Sequence, residues 1–338
     1  MLRISKLVIG SGILSMLMIA APAVMAQEGE YGHDHGDAFD TTTAPLTVPS
    51  AVDFAPVPGD GDDETGEDGE KDAAGAGIST YVDVTENMKA GVLTPFYRFS
   101  PMFAMKAHVP LIFDRTLNYF GYDASASGLG DITLDAEYTK PLAAPGTQLR
   151  FAASVKLPTG NEEKTVEDDT GFEYAVPLGT GTTDYILRGQ YAKSTPKRGL
   201  LFGLMYRKNS PVESVFDYGT YTATTKTTNA SQIVGSVFGR HRASRSWWLH
   251  MGATIVKLGD GKSETEFSDG SPTVDNGANM AGTLIDLFPG VSYALGKFNP
   301  FVGVRIPVAT SYDNEFRDDK RDTSIIFQFS YRPESMAR

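Results

Sequence analysis

The 338-residue chain has no cysteine. That excludes a disulfide scaffold, a thiolate nucleophile and cysteine-ligated metal sites, and it excludes a lipid anchor built on a cysteine after a leader. Histidine is scarce, with five in all. No long 3.6-residue periodicity appears, and the only marked apolar run is too short and too glycine-broken for a membrane helix. With 41% apolar residues the composition is also too polar for a helical membrane bundle. Excess basic charge is missing: the net charge of −12 argues against a nucleic-acid partner. The patterns GxSxG and HExxH and the phosphate-binding P-loop are absent.

What charge there is lies unevenly. Residues 1–26 carry Arg3 and Lys6 and no acid. An apolar stretch of roughly 14 residues follows from Leu7, then Ala-Pro-Ala-Val-Met-Ala, with Val24 and Ala26 where a signal peptidase reads. This predicts a cleaved secretory leader, with the mature chain beginning near Gln27. Residues 27–77 hold 14 acids and one base, Lys71, for a net of −13. They are rich in Gly, Pro, Asp, Glu and Ala and lack hydrophobic periodicity. Too little apolar surface is available there to offset the entropy of ordering, so the segment is expected to be a disordered acidic periplasmic extension. Within it, His33, Asp34 and His35 form a weak candidate for a zinc, copper or nickel ion. A solvated charge run is the reading preferred.

From residue 78 to 338 acids and bases nearly balance, at 28 and 27, and the texture changes. Segments of about ten residues alternate apolar and polar, divided by Gly, Asn, Asp, Ser and Pro. In Ile132–Tyr138, Ile132, Leu134, Ala136 and Tyr138 share one face, while Thr133, Asp135 and Glu137 share the other. Leu149–Leu157, Phe103–Leu111, Asp184–Tyr191 and Ile325–Arg332 repeat the pattern. A soluble sandwich also alternates, but here the polar face carries charges of both signs in mid-strand. The apolar face ends in aromatic residues such as Trp247, Trp248, Tyr138, Tyr191 and Tyr331, as at a lipid interface.

Twelve strands are predicted: 78–86, 89–98, 102–113, 129–140, 147–158, 182–193, 199–208, 231–241, 246–257, 281–295, 299–309 and 323–332. Connections after even-numbered strands are short; those after most odd-numbered strands are long and polar, chiefly 159–181, 209–230 and 259–280. Short periplasmic turns opposite long outer loops are the asymmetry of bacterial outer-membrane barrels. The fold class is therefore all-β, a transmembrane antiparallel up-and-down barrel closed because an open edge in lipid would leave amides unpaired. Pro158 and Pro307, in the similar phrases Val-Lys-Leu-Pro-Thr and Val-Arg-Ile-Pro-Val, are read as strand ends or bulges.

Four phrases carry a family resemblance: Gly128-Leu-Gly-Asp-Ile-Thr-Leu, Val155-Lys-Leu-Pro-Thr-Gly160, Leu178-Gly-Thr-Gly-Thr-Thr-Asp-Tyr185 and Leu204-Met-Tyr-Arg-Lys-Asn209. With these, the chain resembles an outer-membrane family of transporters associated with a phenol-degradation pathway. That family is similar in turn to barrels that import toluene and long-chain fatty acids. The resemblance is best over 125–210. It implies a location in the outer membrane of a Gram-negative bacterium and passage of small organic molecules, aromatic ones included.

The candidate lumen-lining residues are the charges of the polar face: Lys106, Asp135, Glu137, Arg150, Lys156, Asp184, Arg188, Arg207, Asp286 and Arg305. Asp135 and Glu137 are expected to face Arg150 and Lys156 of the next strand as opposite charges. No cofactor is implied and no catalytic residue is assigned. A barrel phospholipase would need a serine beside a histidine base, and the spacing His-x-Ser-Asn is absent. The expected partners are outer-membrane lipid, small-molecule solutes and the barrel-insertion machinery. That machinery would read Phe327-Gln-Phe-Ser-Tyr331, although Arg332–Arg338 follow it. A structural or adhesive barrel acting through its long loops is the alternative. Cell fractionation is expected to leave the processed chain in the detergent extract of membranes; its recovery in an aqueous extract would contradict the barrel.

Overall fold

The computed structural model describes residues 75–119, 122–161, 164–169, 171–217, 221–228, 230–270, 273–275, 281–295, 298–312 and 321–331. The leader, the acidic segment to residue 74 and the His33-Asp34-His35 motif lie outside them. Regular structure among the described residues is all strand. In chain order the strands are β1 (Gly75–Val84), β2 (Met88–Arg98), β3 (Phe103–Tyr119), β4 (Tyr122–Leu129), β5 (Thr133–Pro141), β6 (Thr147–Lys156), β7 (Thr165–Glu167), β8 (Glu173–Ala175), β9 (Asp184–Ser194) and β10 (Arg198–Asn209). There follow β11 (Val212–Asp217), β12 (Thr222–Thr228), β13 (Gln232–Arg242), β14 (Trp247–Leu258), β15 (Lys262–Phe267), β16 (Val274–Asp275), β17 (Gly282–Tyr293), β18 (Phe298–Tyr312) and β19 (Ser324–Tyr331).

Twelve of them form one closed antiparallel ring, β1-β2-β3-β5-β6-β9-β10-β13-β14-β17-β18-β19. The ring shuts where β1 pairs with β19, from Ile78 opposite Tyr331 to Val84 opposite Ile325. These are the twelve strands that alternation predicts. β1 starts earlier, at Gly75, because Gly75–Gly77 pair with Phe96–Arg98 of β2. β13, whose alternation is blurred by Gly235 and Gly239, still holds an unbroken ladder to β10. Pro158 lies just past β6, as expected of a strand end. Pro307 does not end its strand: it sits opposite Asp286 at a register shift, and β18 continues to Tyr312. A bulge accommodates the missing N–H as well as a strand end does.

The barrel is inside-out relative to a soluble core. Leu200, Phe202, Leu204 and Tyr206 of β10 are exposed outward, while Leu201, Met205 and Arg207 between them are buried. Leu187, Phe151, Met105, Leu249, Met251 and Ile255 continue the exposed apolar exterior on other strands. Asp83, Asp135, Arg150, Lys156, Asp184, Asp286 and Gln328 are buried on the opposite face. One interior level is apolar. Tyr81, Val92, Ala192, Leu201, Phe238, Phe288, Phe301 and Ile326, from eight of the ring strands, form a single buried cluster toward the end with the short turns. Glycines make room for its rings. A Cβ on Gly252 would fall 2.0 Å from the Phe238 ring, and one on Gly290 or Gly303 about as close to Phe301.

Structure also appears where the sequence shows only polar loops. β3 runs on to Tyr119 and turns back as β4, raising the wall on that side. By contrast the β1–β2 hairpin closes over Thr85–Asn87. β11, β12, β15 and β16 form a separate four-stranded sheet, and β7–β8 a short hairpin. Thr222–Thr228 lacks apolar alternation because both its faces are polar. Its β-branched threonines suit a strand regardless, and Thr225 and Thr227 bond across to Thr265 and Ser263 at 2.8 and 3.2 Å.

Leu187 is 60% exposed at mid-strand on the apolar exterior. Leu187→Arg is expected to destabilise the membrane-inserted barrel by roughly 2–4 kcal/mol, measured by denaturant unfolding in vesicles.

Candidate functional site

The interior charges are concentrated on the wall made by β3, β5, β6, β9 and β10. On β5, Asp135 and Glu137 point inward two residues apart, as strand geometry requires. Their partners lie elsewhere than the sequence suggests. Asp135 ion-pairs with Arg188 of β9 and meets His108 Nε2 of β3 at 2.9 Å. Glu137 meets Lys106 of β3 at 2.7 Å. Of the expected neighbours, Arg150, opposite Thr139, acts on Glu137 as a nearby positive charge, whereas Lys156, opposite Thr133, is held by Asp131 and Asp184 instead. With its amide turned so that both groups are satisfied, Gln148 accepts from Arg150 Nε and Nη2 at 2.7 and 2.6 Å.

The four family phrases converge on one point at the outer end of this wall. Asp131, from Gly-Leu-Gly-Asp, is 1% exposed and lies 3.2 Å from Lys156 Nζ. Lys156, from Val-Lys-Leu-Pro-Thr-Gly, also reaches Asp184 at 2.8 Å. Asp184, from Gly-Thr-Thr-Asp, accepts from Arg207 Nε at 2.9 Å, and Arg207 belongs to Leu-Met-Tyr-Arg-Lys-Asn. Two carboxylates and two cations are thus buried together, the condition under which charge is tolerated away from water.

Asp131 also fastens both ends of the connection between β6 and β9. It accepts from the Gly160 N–H at 2.9 Å and from the Thr180 N–H and hydroxyl at 2.8 Å each. Gly160 and Gly179 meet at their backbones: a Cβ on Gly160 would fall 2.7 Å from Gly179 Cα, and one on Gly179 2.5 Å from Asp131 Oδ1. Between these ends the connection folds against the raised wall. Val176 and Leu178 are buried with Ile112, Ala124 and Ala126, and Tyr174 stacks on Tyr122 at 4.6 Å between ring centroids. Ile112 is buried between exposed Leu111 and Phe113, so the face it shares with Ala124 and Ala126 is the lumen side. The connection therefore turns inward at the outer mouth.

The opposite wall is looser. Asp286 pairs with Arg321 at 2.7 Å, whereas Arg305 stands 3.6 Å from Asp83, beyond hydrogen-bond range. All ten predicted residues thus lie on the inward side. Lys106, Asp135, Glu137 and Arg188 form one group, with the Arg150 charge acting on Glu137; Lys156, Asp184 and Arg207 form a second, and Asp286 and Arg305 lie on the opposite wall. Sequence reasoning missed Asp83, Asp131 and His108. Asp131 had a signal, its place in a glycine-flanked family phrase; Asp83 is one acid in an uncertain strand. His108 joins Thr94 at 3.0 Å to Asp135, a hydroxyl–imidazole–carboxylate order, but Arg188 occupies the same carboxylate oxygen.

Asp131→Ala leaves two backbone N–H groups without their acceptor and Lys156 with Asp184 as its remaining carboxylate. It is expected to cost about 3–5 kcal/mol and to open the mouth connection to trypsin at Lys164, as read by limited proteolysis of the refolded protein.

A profile of the family described as "Putative MetA-pathway of phenol degradation" matches residues 55–191. Among solved structures, an outer membrane channel from Pseudomonas putida F1 is similar at a TM-score of 0.51 with 14% identity, over 80% of this chain and 99% of that one. The NanC porin is similar at a TM-score of 0.45 with 7% identity, over 77% of this chain and 100% of that one. Comparison with curated proteins by sequence gives no match. Three of the four phrases fall within that match and Leu204–Asn209 lies beyond it; the family they resemble is the one whose profile matches, and the chain has a closed twelve-stranded barrel fold similar to that of the Pseudomonas putida channel.

Proposed function

We propose that the chain sits in the outer membrane as a narrow passive channel for small organic solutes, aromatic ones among them. The observation that carries this reading is the inversion of the barrel: apolar side chains outward, paired charges and an apolar belt inward, and a connection folded into the outer mouth. The exposed exterior suits lipid, and β19 presents Phe327, Phe329 and Tyr331 to the insertion machinery. An interior that is ionic at one level and apolar at another accommodates solutes carrying both kinds of surface. Its deep burial favours small ones. The family description, with its reference to phenol degradation, supports an aromatic cargo. No reaction is assigned to the chain. A second reading, an adhesive barrel acting through external partners, draws on the separate sheet β11-β12-β15-β16, which no transport role requires.

Liposome swelling separates the two: the channel reading expects uptake of small solutes, and an adhesive barrel expects none. Charge preference tests the lining. Among the described residues the inward face carries the bases Lys106, Arg115, Arg150, Lys156, Arg188, Arg207, Arg240, Arg305 and Arg321 against the acids Asp83, Asp131, Asp135, Glu137, Asp184 and Asp286, so mild anion preference is expected. Arg188→Gln is expected to reduce that preference in planar-bilayer reversal potentials. Lys156 is a poorer probe, since it is held between Asp131 and Asp184.

A further inference from the structure

The end of the barrel with the short turns carries charge of one sign. Lys140, Lys193, Lys197, Arg198 and Arg245 are exposed there, on or beside the connections β5–β6, β9–β10 and β13–β14. Arg98 ends β2 at the same level, and Arg240 and Arg242 of β13 flank the Trp248 ring at 4.5 and 5.8 Å. Acids stop short of this rim. Among the described residues the nearest on a ring strand is Glu137, and Lys106 holds it at 2.7 Å. A balanced barrel thus has a strongly basic rim, and a ring of like charges in water draws a counter-charge.

The chain itself brings a counter-charge to that place. Residues 60–72, which lie outside the described residues, hold eight acids, among them Asp60, Glu64, Asp68 and Asp72, against one base, Lys71. The run ends three residues before Gly75, where β1 begins opposite Arg98 of the rim. Three residues span about 10 Å at most, and the fifteen from Asp60 to Gly75 about 50 Å. Twelve strands about 4.8 Å apart and tilted about 40° close a ring about 24 Å across. Every base of the rim is therefore within reach of the acidic run.

The tether also decides between occupants. A segment joined to the rim by so short a link is present there at an effective concentration on the order of millimolar, which an acidic partner from solution must exceed. Exposed ion pairs are weak singly. Several made together by a segment that cannot diffuse away are not.

We infer that residues 60–72 dock on the basic rim at the short-turn end of their own barrel. Their carboxylates accept from the ammonium and guanidinium groups of Lys140, Lys193, Lys197, Arg198 and Arg245 in exchangeable surface pairs. The docked run cancels much of the positive field at that mouth, and so it lowers the anion preference that the bare rim would add. The docking goes beyond the channel reading and stands without it; only its effect on ion passage rests on that reading.

The test is carbodiimide crosslinking of the refolded full chain, which joins a carboxylate to a lysine amine in contact with it, read by peptide mass spectrometry. At low salt, links are expected from residues 60–72 to Lys140, Lys193 or Lys197 within one copy, in a yield independent of protein concentration. Salt at about 1 M shortens the Debye length to about 3 Å and is expected to cut the yield at least fivefold. Arg198→Glu with Arg245→Glu leaves the three lysines and the tether unchanged and is expected to cut it several-fold. Heat-dependent electrophoretic mobility reports whether that variant is folded; should it not fold, the salt series on the unaltered chain decides. A yield indifferent to salt and to the charge reversal reports proximity alone and overturns the docking, as do links found only between copies. Links kept in phosphatidylcholine vesicles but lost in phosphatidylglycerol vesicles give the rim to lipid headgroups and overturn it in the membrane. Reversal potentials are scored separately, with the eight acids replaced by their amides in the full chain, and a rise in anion preference is expected. Links without conduction remove the channel and keep the docking; conduction without links does the reverse.

Discussion

An amide that loses water in hydrocarbon must find a partner on the chain, at a cost of several kcal/mol where it does not. In this protein the requirement is met by the ladder between β1 and β19, which turns twelve strands into a ring without edges. Once the ring is shut, strand alternation has only two destinations, lipid and lumen. Apolar side chains go to the first, and ionised ones are confined with each other in the second. The pairing of Lys106 with Glu137, Arg188 with Asp135 and Arg207 with Asp184 is then the electrostatic price of a closed barrel, as much as any preparation for a solute.

Two-residue periodicity is a local property, and for that reason the strands could be read from the chain. Even β13, with two glycines interrupting its pattern, was legible from its neighbours and its turn. Partner choice is not local. Asp135 and Glu137 were expected to meet Arg150 and Lys156 of the next strand; Arg150 does act on Glu137, but the groups that directly bond the two acids stand on β3 and β9. The ladders concerned, β3 to β5, β5 to β6 and β6 to β9, run without a register shift, so the offset is set by strand stagger and turns, which leave no hydrophobic signature. The outer sheet escaped for another reason: a strand wetted on both faces has no apolar face to betray it.

The family phrases show both the reach and the limit of sequence. Each could be recognised as a motif, and each was read by its place at a strand end. Their convergence on Asp131 becomes visible only when β5, β6, β9 and β10 stand side by side. The glycines of Thr-Gly160 and Leu-Gly179 then have a plain cause: two backbones and a carboxylate meet where no Cβ fits.

Because Asp131 grips residues 160 and 180 together, the two ends of the intervening stretch are pinned at a single spot on the rim. The stretch between them joins no ladder of the ring, and Val176 and Leu178 tie it to Ile112, Ala124 and Ala126. A chain that changes only the residues between the two pins and outside that packing keeps every ladder of the cylinder and acquires a different entrance.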